Sequence, residues 1–263
     1  MKNFRIYGSP PFSVVVVHGG PGAPGEMKPV AEELSKNFGV IEPLQTANSV
    51  EGQIEELKKV IEENATIPVY LIGWCWGAWL SYLLAARYPN LVKKLILVSS
   101  GPFEASYAQK IMKTRLERLS EQEQIRVEEI IQLLQSGKAD DVIFNEFGGL
   151  MDKADSYNPI PHKDDRDIEK SEAQSEIYEK VWAEADELRK NGKLLEYGKT
   201  ITCPVVAIQG DYDPHPSEGV EKPLSKILKD FRFYPLEHCG HHPWFEKEAK
   251  SKFYEILTLL LAN

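Results

Sequence analysis

At 263 residues, 42% hydrophobic and 27% charged, the chain has the make-up of a soluble globular protein holding one large α/β domain or a core domain with an insertion. A formal net charge of −9 argues against a nucleic-acid surface or an anionic membrane partner, and no apolar run approaches the roughly 20 residues of a spanning helix. The opening MKNFRIYGSPP lacks the apolar stretch of a secretory signal, and three scattered cysteines suit a reducing compartment, so a cytoplasmic protein is expected.

Phe4 to Tyr7 reads as a short strand closed by the turn GSPP. Phe12 to Val17, FSVVVV, is a continuous β-branched run, as expected of a strand buried on both faces of a parallel sheet. It runs straight into HGGPG, His18 to Gly22. Glu26 to Asn37 reads as a helix with Met27, Val30, Ala31 and Leu34 as its apolar stripe, and Val40 to Leu44 as a strand. Asn48 with Glu51 offers a capping box for a helix carrying Ile54, Leu57 and Ile61. Then comes IPVYLIGWCWG, a β-leaning run ending between two glycines, followed at once by the helical AWLSYLLAARYP. Leu91 to Val98 closes this half as another strand. The β-α-β-α-β-α-β pattern implies right-handed crossovers and a mostly parallel central sheet flanked by helices.

From residue 104 to 199 the chain turns charged and helical in period, with expected helices at Ser106 to Ser120, Glu123 to Gln135, Asp140 to Met151 and Asp167 to Lys190. The stretch SYNPIPHKDD interrupts them as a loop. This region is expected to be an inserted helical lid on a core made of residues 1–103 and 200–263. Pro204 to Gln209 resumes the strands, followed by GDYDPHP, a helix at Val220 to Lys229 and a last strand at Phe231 to Leu236. After EHCGHHPW a closing helix keeps a 3.6 period through Phe245, Ala249, Phe253, Ile256, Leu257 and Leu260.

The glycines around Cys75 carry the chemistry. A strand that turns sharply into a helix with a nucleophile at the apex is a nucleophile elbow. Its strained apex and close strand–helix passage exclude larger side chains at Gly73 and Gly77. Ligands of an open parallel sheet bind beyond the carboxyl ends of its strands. Four loops are expected there: HGGPG, the Cys75 elbow, GDYD and CGHH. Together they offer a nucleophile, a base, an acid to orient it and backbone N–H donors. The order nucleophile, acid, histidine is that of the α/β hydrolases.

The chain thus resembles the α/β-hydrolase superfamily from about Phe12 to the C-terminus. HGGPG and GHHPW look closest to its lid-bearing, proline iminopeptidase-like branch. By that resemblance Cys75 takes the nucleophile position in place of the usual serine, His241 the base and Asp213 the acid. The oxyanion hole would be the backbone N–H groups of Trp76 and Gly20. Asp211 remains an alternative acid, and His242 or His238 an alternative base. His18 is expected to order its own loop, and His215 and His162 to be surface or turn residues. No metal and no cofactor are expected: the histidines lack metal-ligand spacing, and HGGPG is neither a P-loop nor a dinucleotide fingerprint.

A cysteine at this position resembles dienelactone hydrolases and polyhydroxyalkanoate synthases, in which it handles lactones or thioester-linked acyl chains. The expectation is therefore a hydrolase of a carboxylic ester, thioester, lactone or amide, working on a small molecule through a thio-acyl intermediate. A vestigial enzyme or a cysteine introduced by mutagenesis stand behind it, and a non-catalytic binding protein is the competing class. Trp74, Trp244, Tyr107, Phe144, Tyr178 and Trp182 are candidate pocket residues, with Phe147 another lid aromatic, Trp76 expected to face the pocket and Trp79 to pack. Glu172, Glu176 and Glu184 are candidate grips for a substrate amine, set against a solvated helix face. Cys239 is weighed as an oxidisable partner of Cys75 against an inert buried thiol, and Cys203 is expected at a strand start.

Overall fold

A computed structural model describes residues 3–22, 24–138, 140–161 and 174–262. Among these, seven strands form one sheet: β1 (Phe4–Tyr7), β2 (Phe12–Val17), β3 (Gly39–Pro43), β4 (Val69–Trp74), β5 (Val92–Val98), β6 (Val205–Gly210) and β7 (Phe231–Leu236), in the order β1-β3-β2-β4-β5-β6-β7. β1 pairs antiparallel with β3 at one edge, and every other pairing is parallel.

The sheet's two faces follow directly from the period of two along each strand. Val15, Val17, Leu71, Leu95, Leu97, Val205 and Ala207 lie in one core cluster. Their neighbours Val14, Val16, Tyr70, Ile72, Ile96, Val98, Val206 and Ile208 lie in the other. Helices α1 (Lys28–Leu34) and α11 (Lys250–Leu261) complete the second cluster through Val30, Ala31, Leu34, Phe253, Leu257 and Leu260. Helices α2 (Val50–Asn64) and α3 (Trp76–Arg87) complete the first. Each fully buried Val, Leu or Ile contributes about 1.5–3 kcal/mol relative to exposure. That explains why the continuous β-branched runs are the interior strands.

Helix α2 begins one residue later than the expected Asn48 cap. Ser49 is the N-cap, its side chain accepting from the Gly52 N–H, while Glu51 instead pairs with Arg87. The cap falls to Ser49 because that residue holds the extended backbone from which a side-chain oxygen reaches the first turn.

Between the directly paired β5 and β6 come α4 (Ala105–Ala108), α5 (Ile111–Glu117), α6 (Glu121–Gln135), α7 (Asp141–Asp155), α8 (Gln174–Lys190) and α9 (Lys193–Glu196); α10 (Glu218–Ile227) follows β6. The single helix expected from Ser106 to Ser120 is thus split in two. Helix α6 starts earlier than expected because Ser120 and Glu123 form a reciprocal capping box. Leu119, Val127, Met151 and Ala154 make a small cluster of their own. Helix α8 belongs elsewhere: Ile177, Val181 and Ala185 join the main core on the α3 side, and the Trp182 ring stacks on Trp79 at 5.7 Å. The expected start of this helix at Asp167, along with His162 and Glu172, lies outside the described residues.

β2 has β3 on one side and β4 on the other, so the chain reverses direction across the sheet between them. Crevices for ligands open at the carboxyl ends of such neighbouring strands. The loops leaving β2 and β4 there are the ones that carry HGGPG and Cys75.

Candidate active site

β4 ends at Trp74 and α3 begins at Trp76, leaving Cys75 at the apex with φ 54° and ψ −117°. A backbone of this kind costs a non-glycine residue about 1–3 kcal/mol. It is held by the Cys75 N–H donating to the Val98 carbonyl at 3.1 Å and the Ala78 N–H donating to the Cys75 carbonyl at 3.2 Å. A Cβ on Gly73 would lie 2.1 Å from the Gly77 carbonyl oxygen, and one on Gly77 would lie 2.3 Å from that of Val17. Strand and helix therefore pass backbone against backbone. A Cβ on Gly19 would sit 3.2 Å from the Cys75 Cβ, so the loop after β2 closes directly against the half-buried nucleophile candidate.

His241 is buried at the turn after β7, and on one side its ring lies close enough to the Cys75 sulfur to feel its charge. On the other, its Nδ1 lies 2.9 Å from Asp213 Oδ2. A carboxylate can only accept, so Nδ1 carries the proton and Nε2 is left for the sulfur. Asp213 is more fully engaged than a three-residue arrangement requires. Its Oδ2 also accepts from Gln209 Nε2 at 3.0 Å. Its Oδ1 accepts from the His215 backbone N–H at 2.9 Å and from His215 Nδ1 at 2.8 Å. The His215 and His241 rings stack with centroids 4.5 Å apart.

Burial alone would push the Asp213 carboxyl upward, but the neighbouring His241 and His215, by charge and hydrogen bond, hold it far below the usual carboxylate range. Burial likewise opposes charging of His241. Asp213 and the Cys75 sulfur outweigh it and hold the imidazole well above its ordinary pKa of 6.5. In His215 burial prevails: its pKa is lowered, with the His241 and Arg115 charges adding to the effect against Asp213. The donor atoms of Asp213, His215 and His241 lie within 4.8 Å of one another. With both Nδ1 protons directed at the carboxylate, they form a hydrogen-bonded set in which a cation would have to displace two protons.

Asp213, and not Asp211, therefore reaches His241; Asp211 instead accepts from the Cys239 N–H at 3.1 Å. His238 is exposed, and His242 is half-buried against Trp74, Trp244 and Phe245. His215, expected as a surface or turn residue, sits in a bend but is buried against Asp213: its two donors both fit one carboxylate oxygen, which compensates for removing an imidazole from water. His18 donates from Nδ1 to the Gly19 carbonyl at 2.8 Å and accepts the Gln45 N–H at Nε2, 3.2 Å away, ordering the loop that carries Gly20. Neither the Gly20 nor the Trp76 N–H enters a turn or loop backbone hydrogen bond among the described residues.

Trp74, Trp76, Trp79 and Trp244 are all buried. Trp74 is buried beneath the histidine loop, its indole N–H donating to the His241 carbonyl at 2.9 Å, and Trp244 packs edge-on against it within the core. Trp76 is buried with its N–H on Gln53, and Trp79 donates to the Gly101 carbonyl. Phe144, Tyr178 and Trp182 form a run of ring contacts leading to Trp79. Tyr178 lies close enough to Arg115 and Cys75 to feel both charges, while burial raises its pKa. Tyr107 packs over Gly219 at the start of α10, and Phe147 joins the small α6–α7 cluster.

Glu184 accepts the Val50 N–H at 2.8 Å, at the start of α2, and Glu176 is exposed and paired with Lys180. Both carboxylates are thereby engaged in structure. Cys239 is fully buried with its thiol pushed up by burial, and burial lifts Cys203 to about 11.

Sequence reasoning missed a group of residues around the histidine. Arg115 on α5 clamps Asp155 at the end of α7 through two bonds of 2.7 and 2.6 Å. The Asp155 carbonyl in turn accepts the His241 N–H at 2.9 Å. Buried Glu246 accepts the N–H groups of Gly240, Tyr157 and Asn158. His215 lies within the GDYDPHP motif and Gln209 at the end of the strand before it, so proximity in sequence is a signal that could have found both. The Arg115–Asp155 pair, separated by 40 positions, leaves no local signature.

Residues 41–248 match the family model described as the alpha/beta hydrolase fold. The proline iminopeptidase of Lactobacillus delbrueckii subsp. lactis is 22% identical over 267 residues, covering 93% of this chain and 88% of that protein. The crystal structure of VinJ superposes with a TM-score of 0.74 at 19% identity, covering 98% of this chain and 94% of that one. That of proline iminopeptidase from Mycobacterium smegmatis superposes at 0.69 and 17% identity, covering 98% and 93%.

Proposed function

The chain belongs to the α/β-hydrolase family, and from that premise we propose that it is an acyl hydrolase with Cys75 as nucleophile, His241 as base and Asp213 as the acid that orients it. The observation that carries this reading is the His241 ring itself, bonded through Nδ1 to Asp213 at 2.9 Å and within the influence of the Cys75 sulfur. In the reaction the sulfur attacks a carbonyl carbon, the N–H groups of Trp76 and Gly20 stabilise the developing oxyanion, and His241 hands its proton to the departing group. Water then releases the acyl group from the sulfur.

The substrate class is a small carboxylic ester, thioester, lactone or amide. The proline iminopeptidase relatives are consistent with the amide end of that range. Helices α4 to α7 act as the lid, with α8 fixed to the core beneath them. Three free cysteines suit a reducing compartment, and the cytoplasm is the location this reading carries.

The test is a panel of p-nitrophenyl esters and acyl thioesters read by intact mass. Cys75 is expected to carry the acyl adduct, and His241→Ala is expected to slow acylation by about 100-fold or more. No adduct on any panel member, together with equal iodoacetamide rates in the wild type and His241→Ala, would favour a binding protein over an enzyme.

A further inference from the structure

The guanidinium that steadies the histidine loop has an unused edge. Arg115 is largely buried, and Asp155 accepts from its Nε and Nη2 at 2.7 and 2.6 Å. An arginine fork held side-on in this way leaves its end, one N–H from each Nη nitrogen, free to meet a second pair of oxygens. Nη1 makes no hydrogen bond among the described residues, and it is not one of the sealed orphan atoms of the molecule. The Tyr178 hydroxyl is in the same condition, on a ring fixed between Phe144 and Trp182 with centroids 5.2 and 6.3 Å away.

Both groups border the reacting centre. The Asp155 carbonyl accepts the His241 N–H at 2.9 Å, so the Arg115–Asp155 pair stands against the backbone of the base. Arg115 lies close enough to Cys75 and Asp213 to feel both, and Tyr178 close enough to feel Arg115 and Cys75. The arginine's charge also reaches past Asp155. It opposes the rise that burial gives the Tyr178 phenol and adds to the lowering that burial gives His215.

We propose that the free end of Arg115 and the Tyr178 hydroxyl form a subsite for a carboxylate carried by the substrate, so that the esters or thioesters turned over at Cys75 are those of anionic molecules. The inference rests on the acyl-hydrolase reading above and names the substrate class for it. A neutral carbonyl offers one oxygen where a carboxylate offers two at the spacing of the fork, and charge-assisted bonds are about twice as strong as neutral ones. An ammonium group would meet Arg115 as a like charge. The two described glutamates weighed as grips for an amine are already engaged, Glu176 by Lys180 and Glu184 by the Val50 N–H.

The experiment compares kcat/KM for esters that differ in charge. Mono-p-nitrophenyl adipate, its methyl ester and p-nitrophenyl 5-(trimethylammonio)pentanoate vary the acyl side. The leaving side is varied by 3-carboxy-4-nitrophenyl acetate and its methyl ester. On at least one side the carboxylate is expected to exceed its methyl ester by about 10-fold or more. That ratio is expected to fall to about one in the paired variant Arg115→Met with Asp155→Leu, and by about threefold in Tyr178→Phe, whatever happens to the absolute rates. Loss of the clamp on the histidine loop slows every ester alike, so only a subsite moves the ratio.

Smaller wild-type ratios on both sides, or a preference for the trimethylammonium ester, would overturn the proposal. So would a ratio that survives in the paired variant. Should the variants fail to fold, the wild-type ratios decide alone. If nothing on the panel is turned over, the acyl-hydrolase reading fails by itself, and protection of Cys75 then decides the subsite. Adipate is expected to slow iodoacetamide alkylation of Cys75 and dimethyl adipate to leave it unchanged; equal protection, or none, overturns the assignment.

Discussion

His18 is wholly buried, and burial lowers its pKa from 6.5 to about 4 against the smaller opposing effects of the Gly19 carbonyl and Glu56. Between those two values the unfolded chain binds a proton that the folded protein refuses. The stability this residue contributes is therefore complete above about pH 6.5 and is lost as the pH falls toward 4, a difference of about 3 kcal/mol. Urea unfolding at pH 7 and pH 4.5 should show a smaller pH-linked loss in His18→Gln than in the wild type; equal losses would mean the residue titrates normally. Function is linked to the same event. His18 Nδ1 and Nε2 both fix the loop that brings Gly19 against Cys75, so protonation that breaks the Gln45 contact loosens one wall of the site.

At the scale of elements, the histidine loop is held from outside the sheet. Helix α5 supplies Arg115, the end of α7 supplies Asp155, and the Asp155 carbonyl receives the His241 N–H. Side-chain exposures of 17% and 4% put this pair in the interior, where removing one partner strands a charge at a cost of about 3–5 kcal/mol. Arg115→Met is expected to lose that much by urea unfolding, together with acylation rate through displacement of His241. Arg115→Met with Asp155→Leu is expected to recover most of the stability; a single variant within 1 kcal/mol of wild type would show the clamp to be idle.

This pair also marks where the sequence stops being informative. The strands were legible because β-branched runs bounded by Gly, Pro and Asn have few other uses, and Cys75, Asp213 and His241 because each sits in a short motif at a strand end. Arg115 and Asp155 lie in charged amphipathic helices where every turn carries similar residues, so only folding singles them out. The aromatic setting around Cys75 is equally legible, but not its bonding: the indole N–H groups of Trp74 and Trp76 go to the His241 carbonyl and Gln53, and Trp244 packs edge-on against Trp74.

Across the whole molecule the segment between β5 and β6 divides in two by what it packs against. Val127 on α6 and Val181 on α8 are both fully buried, but in different clusters. Val181 belongs to the large cluster that runs from β2 through α3 to β6, while Val127 is surrounded by the few residues of the α5–α7 group. Regions with few buried apolar contacts open without unfolding the rest, and lids are drawn from that end of the stability range. Truncating either valine to alanine removes the same two methyl groups, about 1–3 kcal/mol of burial and packing. The loss should appear in different places. Val181→Ala is expected to lower the global urea midpoint and speed amide exchange throughout β4, β5 and α3. Val127→Ala is expected to speed exchange in α6 and α7 while leaving the midpoint of the sheet unchanged. Equal shifts of the global midpoint would mean that α5–α7 unfold only with the core, and that no lid opens independently over Cys75.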